Sequence, residues 1–183
     1  MRIIAGEMRG RQIKAVEGMH TRPTSDKVKG AIFNVLGDKV IDSRVLDLFA
    51  GTGNLAIEAL SRGSREAVLV EKNYNAFQII QKNLQLLGVN QKSRLLLMDA
   101  FQYIHRYPNE VFNLIFLDPP YRQELIQKVL QTLKEYSYLT PDGVIVAETA
   151  KDEELTGDIY PFEIRKTGEY GDTKVWYLQR MDV

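Results

Sequence analysis

Phe112-Asn-Leu-Ile-Phe-Leu-Asp-Pro-Pro-Tyr121 is an apolar run that stops in a carboxylate, two prolines and a ring. The run from Phe112 to Leu117 is near-continuous, the pattern of a strand buried on both faces and hence of a parallel sheet. Neither proline carries the N–H that a ladder needs, so the chain leaves the sheet at Asp118, the carboxyl end of that strand. In open α/β sheets this edge is where ligands bind. Asp118, Pro119, Pro120 and Tyr121 bring together a carboxylate, backbone carbonyls on a stiff turn and an aromatic face. Such a set can hold a planar base and accept hydrogen bonds from its exocyclic amine. The tetrapeptide alone has a second, weaker reading, a strand end followed by an ordinary Pro-Pro turn.

On both sides of this stretch, strand and helix patterns alternate, which implies a parallel sheet covered on both faces. Strands are expected at Val45–Phe49, Ala67–Val70, Leu95–Met98, Phe112–Leu117, Val144–Ala147, Phe162–Thr167 and Lys174–Leu178, and helices at Asn54–Arg62, Tyr74–Leu87, Phe101–Arg106 and Glu124–Tyr136. The last two strands are joined through Gly168 and Gly171, a connection short enough to require antiparallel pairing. The predicted fold is α/β: a Rossmann-like, seven-stranded, mostly parallel sheet with helices on both faces and antiparallel last strands. Ahead of it, residues 1–40 read as a small extension packed on the domain formed by residues 41–183. The extension is a hairpin over Arg2–Val16, a break at Arg22-Pro23-Thr24, and a helix. Thr24, Ser25 or Asp26 can cap that helix, Val28, Ala31, Ile32, Val35 and Leu36 line its packed stripe, and Gly37 stops it.

Composition narrows the function classes. The 183 residues include no cysteine, which removes disulfides, thiolate zinc sites and any cysteine nucleophile, including one that adds to a pyrimidine ring. No apolar stretch is long enough to span a bilayer and no signal-peptide core opens the chain, so a reducing cytoplasm is expected. Basic and acidic residues balance at 24 each, but their distribution is uneven. Seven basic residues (Arg2, Arg9, Arg11, Lys14, Arg22, Lys27 and Lys29) face only three acidic ones up to position 29. A basic arm on an otherwise acidic domain suits nucleic acid, although a solvated polar hairpin has the same composition.

The first strand ends in Asp47-Leu-Phe49-Ala50-Gly51-Thr-Gly53 and opens a helix. Glycine there permits a tight turn and close approach of a ligand to the backbone. Glu71, twenty positions after Gly51, is placed to accept hydrogen bonds from a ribose diol. Asp99 ends the third strand and can take an adenine amino group or cap the next helix. Gly51-x-Gly53-x-x-Ala56 also satisfies the dinucleotide fingerprint. Against a dinucleotide stand Asp47, which can face a methionine ammonium, the Asp-Pro-Pro-Tyr stretch, and the scarcity of histidine, with only His20 and His105. S-adenosylmethionine therefore fits this edge better than NAD. Trp176, on a late strand, reads as core or as a stacking ring.

Phe49-Ala-Gly-Thr-Gly53 followed by Asp118-Pro-Pro-Tyr121 resembles the class I S-adenosylmethionine-dependent methyltransferases that act on nitrogen. With Met1-Arg-Ile-Ile-Ala-Gly6, Arg9-Gly-Arg11, Thr21-Arg-Pro-Thr24, Ile32-Phe-Asn34, Val45–Gly51 and Ile57-Glu-Ala-Leu-Ser-Arg-Gly63, the resemblance extends over residues 1–180 to the RsmD family, which methylates N2 of a guanine in 16S ribosomal RNA. Ala56 and Ser64 depart from it, standing where glycine and alanine are expected. The resemblance implies S-adenosylmethionine as cofactor and S-adenosylhomocysteine as product. It implies catalysis by Asp118, Pro119, Pro120 and Tyr121, and cofactor binding by Asp47, Phe49, Ala50, Gly51, Gly53, Glu71, Lys72, Asp99, Ala100 and Asp118. Arg2, Arg9, Arg11, Lys14 and Arg22 become the expected RNA contacts, and no residue is assigned to a metal. The implied partner is ribosomal RNA or an assembling small subunit; the oligomeric state is left open, with a monomer favoured. The same acceptors would suit an adenine N6 methyltransferase on DNA or RNA, and a non-catalytic nucleotide-binding scaffold is the alternative of another class.

Overall fold

The computed structural model describes residues 1–18, 24–121 and 124–182; Arg22, with the expected chain break at Arg22-Pro23, lies outside them. Seven strands form one sheet: β1 (Arg44–Asp47), β2 (Glu66–Glu71), β3 (Ser93–Leu97), β4 (Phe112–Leu117), β5 (Leu139–Ala150), β6 (Phe162–Tyr170) and β7 (Thr173–Arg180). Their spatial order is β3-β2-β1-β4-β5-β7-β6. The strands run parallel from β3 to β5, and β7 lies antiparallel between β5 and β6. From β1 the chain steps to β2 on one side and later to β4 on the other. That reversal opens a crevice at the carboxyl ends of β1 and β4.

The helices divide between the two faces because alternate strand residues point to opposite sides. Val45, Leu114 and Val146 pack with α1 (Asp26–Leu36), α2 (Asn54–Ser61) and α3 (Tyr74–Leu87). Leu46, Ile115 and Ile145 pack with α4 (Ala100–Arg106) and α5 (Leu125–Leu133). Ser25 caps α1 by accepting from the Val28 N–H, and Gly37 ends it with φ of 52°. Trp176 is core, its indole N–H donating to Thr149 Oγ1 at 2.9 Å.

Element bounds shift where neighbours decide them. β5 extends well beyond Val144–Ala147 because β4 and β7 pair along it. Conversely, α5 begins at Leu125, since Glu124 sits in the left-handed region with φ of 52°. The N-terminal hairpin is brief: a single Arg2–Gln12 bridge with backbone bonds around it. Its outer N–H groups turn instead to side chains of α2 and α3. The Ile4 and Ala5 N–H groups donate to Glu58, Met8 N–H to Ser61 Oγ, and Lys14 N–H to Asn83 Oδ1.

One buried pair ties this arm to the core. The Lys29 ammonium lies 3.2 Å from Glu58 Oε2, with both side chains fully buried. Lys29 also donates to Asn54 Oδ1 and to the Arg2 carbonyl, and Arg62 pairs with Glu58 from the rim at 2.9 Å. Burial first, against the opposing pull of Glu58, holds the Lys29 ammonium below its ordinary range. Lys29 therefore leaves the basic surface to which its sequence context assigned it. Removing one partner strands the other charge, so Glu58→Ala should cost about 3–5 kcal/mol in a denaturant titration. Ser64 gives the contrast: its hydroxyl is buried with no hydrogen-bond partner among the described residues, so Ser64→Ala should leave stability unchanged or raise it.

Candidate active site

The crevice between β1 and β4 is a cleft of about 700 Å³ whose lining includes Asp47, Phe49, Ala50, Gly51, Glu71, Lys72, Asp99, Ala100 and the Asp118–Tyr121 stretch. Gly53 is outside that lining: in the left-handed region at φ of 83°, it caps the start of α2. Gly51, at φ of 59°, turns its N–H onto Glu71 Oε2 at 2.8 Å. The other oxygen of Glu71 accepts from the Asn73 N–H at 2.8 Å. Glu71 thus fixes the glycine turn while each oxygen keeps acceptor capacity toward the cleft. Asp99 caps α4: it accepts from the Phe101 N–H at 2.8 Å, and the Gln102 side chain accepts from its own N–H. The Asp99 side chain also accepts from the Gln102 N–H in the same capping box, and the residue still borders the cleft.

Asp47 and Asp118 also line the cleft, and a third carboxylate, Glu148, is joined to Asp118 through Thr24. Asp47 ends β1 and is 1% exposed, Asp118 follows β4, and Glu148, on β5, is 3% exposed. Thr24 stands between two of them, its hydroxyl oxygen 3.1 Å from Asp118 Oδ2 and 2.9 Å from Glu148 Oε1. Burial foremost, with the charge of Asp118 next, pushes Asp47 up to about 8. Burial also pushes Asp118 up to about 6 against the hydrogen bond from Thr24, and Glu148 rises well above the ordinary carboxylate range for the same first reason. Beyond Asp118, Pro119 is buried and Pro120 exposed. The Tyr121 ring is 36% exposed, with its hydroxyl 3.0 Å from Thr173 Oγ1.

The structure therefore brings the expected residues of the sheet edge, Gly53 apart, to one cleft. Sequence reading passed over Thr24, which does not cap α1, and Glu148. A glutamate inside the apolar run Val144-Ile-Val-Ala-Glu-Thr-Ala150 was the available signal, because a charge on a central strand needs a reason. Met1, Ala15 and Val16 also border the cleft, so the arm frames it. Arg2, Arg9, Arg11 and Lys14 are exposed on that arm. Two of these guanidinium groups already have protein partners: Arg2 pairs with Asp26 at 2.9 Å, and Arg11 donates to the Leu86 carbonyl at 2.6 Å.

The raised carboxylates make stability depend on pH. Protonation favours the folded state, so that contribution is complete below the ordinary value of 3.8 and is lost as pH rises through about 6 for Asp118 and about 8 for Asp47. Thermal melts of the protein alone should show a falling Tm between these values, and Asp47→Asn should flatten the upper part of the fall. An unchanged slope in the variant would mean that Asp47 is not the group titrating there.

A family profile described as "Conserved hypothetical protein 95" matches residues 1–179. The Bacillus subtilis protein "Putative rRNA methyltransferase YlbH" is 40% identical over 177 residues, covering 96% of each chain. The Haemophilus influenzae "Ribosomal RNA small subunit methyltransferase D" is 34% identical, over 85% of this chain and 81% of its own. Among solved structures, "Putative methyltransferase yhhF" from Escherichia coli superposes with a TM-score of 0.88 at 30% identity, over 98% of this chain and 97% of that one. A profile match over nearly its whole length, on a fold with a nucleotide-sized cleft at the strand reversal, shows that the chain belongs to the Conserved hypothetical protein 95 family, the RsmD family, and is a methyltransferase.

Proposed function

We propose that the cleft binds S-adenosylmethionine and that the chain moves its methyl group to the exocyclic N2 of a guanine in 16S ribosomal RNA. The observation that carries this reading is one cleft that holds Glu71 beside the glycine turn together with the buried Asp47 and the half-buried Asp118, with the buried Glu148 joined to Asp118 through Thr24. Buried carboxylates call for positive charge. S-adenosylmethionine supplies an ammonium and a sulfonium, and an electrophilic methyl group on the latter. In this reading Asp47 holds the ammonium, Glu71 the ribose diol, and Asp99, which also caps α4, the adenine amino group. Phe49, Ala50, Gly51, Gly53, Lys72 and Ala100 shape the remaining walls, with residues 41–183 forming the catalytic domain and residues 1–40 its RNA-facing extension.

An exocyclic amine is a weak nucleophile because its lone pair is delocalised into the ring. Hydrogen bonds from its protons to the Asp118 carboxylate and the Pro119 carbonyl favour a pyramidal nitrogen. Both acceptors strengthen as positive charge develops on that nitrogen, which is the condition for lowering the barrier. When bound, S-adenosylmethionine would supply a methyl group whose departing sulfur becomes a neutral thioether, and Asp118 would take the proton that the methylated amine gives up. Pro119 and Pro120 hold the acceptors stiffly, and stacking on Tyr121 contributes about 1–3 kcal/mol. A paired base cannot enter, so the target is unpaired or flipped out. Arg2, Arg9, Arg11, Lys14 and Arg22 hold flanking phosphates, in a protein that works as a cytoplasmic monomer on naked RNA or on an assembling subunit.

The test is transfer of labelled methyl to 16S RNA, free and in small-subunit particles, followed by nucleoside analysis. The expected product is N2-methylguanine; N6-methyladenine would assign the other base, and no transfer would refute the reading. In the same assay Arg9→Ala with Arg11→Ala should weaken RNA binding and reduce its salt slope by about 1 per lost phosphate contact, with cofactor affinity unchanged.

A further inference from the structure

Thr24 has one hydroxyl proton and two carboxylate oxygens within hydrogen-bond distance, Asp118 Oδ2 at 3.1 Å and Glu148 Oε1 at 2.9 Å. One proton makes a straight hydrogen bond across only one of these contacts. Thr24 donates across one of them, and across the other a carboxylic acid donates to Thr24. The chain of three groups therefore holds two protons and has a direction.

The surroundings set that direction. Asp118 borders the cleft, where a cationic ligand group stands in the reading given above, whereas Glu148 is almost wholly buried on a central strand. The titratable groups around Glu148 are acidic or phenolic on every side: Asp118 beyond β4, Asp47 at the end of β1, and Tyr177 on β7. Tyr121, Glu124, Glu153 and Glu154 border a second hollow that Glu148 shares. Lys174, on the neighbouring strand, has its ammonium 3.0 Å from Glu154 and 4.0 Å above the Trp176 ring. Burial first, then the charge of Asp118, pushes Glu148 well above the ordinary carboxylate range, while Asp118 stands at about 6.

We propose that Glu148 is a positioning residue: a neutral carboxylic acid that donates to Thr24, so that Thr24 donates to Asp118 and leaves Asp118 ionised, with Oδ1 available to the incoming amine. The proposal rests on Asp118 being the amine acceptor, and it adds what keeps that acceptor charged and fixed. With the reverse polarity the proton would sit on Asp118 itself, and the acceptor facing the amine would be neutral.

Isotope-edited infrared spectroscopy of the full chain reads the proton directly, without an RNA substrate. At pH 7 the wild type should show the C=O band of a protonated carboxylic acid that is missing from Glu148→Gln, and Thr24→Val should shift that band by removing its hydrogen-bond partner. Identical wild-type and Glu148→Gln spectra in the acid region would overturn the proposal. Single-turnover methyl transfer gives the second readout. The Gln amide still donates to Thr24, so Glu148→Gln should stay within about threefold of wild type at pH 7, while Glu148→Ala and Thr24→Val should fall at least about tenfold. The wild-type rate should also decline on the alkaline side as Glu148 ionises, and Glu148→Gln should lose that decline. A Gln variant as slow as Ala, or one that keeps the decline, would contradict the proposal. If the wild type itself transferred no methyl, the proposed function would fail, and the infrared result would still decide where the proton lies.

Discussion

Three carboxylates gathered at one sheet edge, two of them buried and the third half-buried, are not all ionised without compensating charge. Asp47, Asp118 and Glu148 come from β1, β4 and β5, brought to one edge by the reversal of strand order, and burial dominates the behaviour of each. A domain free to choose would place apolar side chains there. The arrangement makes sense where a cation is part of the working state and where one carboxyl holds a proton. Both requirements suit a reaction that starts from a sulfonium and develops positive charge on an amine. Burial of all three groups, with like charge acting on Asp47 and Glu148, makes the edge costly in the free protein and attractive to a cationic ligand.

The edge is completed from the other end of the sequence. Thr24 reaches Asp118 and Glu148 because α1 begins beside the sheet edge, and α1 is fixed by the Lys29–Glu58 pair beneath it. Glu58 in turn accepts from the backbone of the arm at Ile4 and Ala5. One buried pair therefore joins helix α2 after the glycine turn, helix α1 and the basic arm. A buried ion pair of this kind adds little net stability over an apolar replacement, but it penalises any other placement of its two halves. The arm that presents Arg9 and Lys14 is thereby registered to the cleft that Met1, Ala15 and Val16 border.

Much of this was legible in the sequence, for identifiable reasons. Phe112–Leu117 and Tyr74–Leu87 have the expected bounds because continuous apolar burial and a helical stripe closed by Gly88 leave few alternatives. The glycine turn and Glu71 could be read together because they are twenty positions apart at consecutive strand ends. Glu148 could not be read this way: its contact with Thr24 spans 124 positions, and no local pattern reports it. Lys29 was misplaced on the surface because a lysine beside apolar neighbours on a helix usually reaches water. What buries it is Glu58, on a different helix. The hairpin was foreseen longer than it is, because side chains of α2 and α3 take the hydrogen bonds a strand partner would have taken.

The central claim is that Asp118 accepts from the amine that takes the methyl group. Single-turnover transfer by Asp118→Ala and Asp118→Asn, normalised to folded protein by thermal melts, tests it most directly. The account predicts that Ala loses about 3–4 kcal/mol of transition-state stabilisation, a hundredfold or more in rate, with the melting temperature little changed. It predicts that Asn, whose amide oxygen still accepts, keeps measurable turnover. An Asp118→Ala protein that melts early but transfers methyl at the wild-type rate once folded would contradict the account, leaving Asp118 as a turn residue.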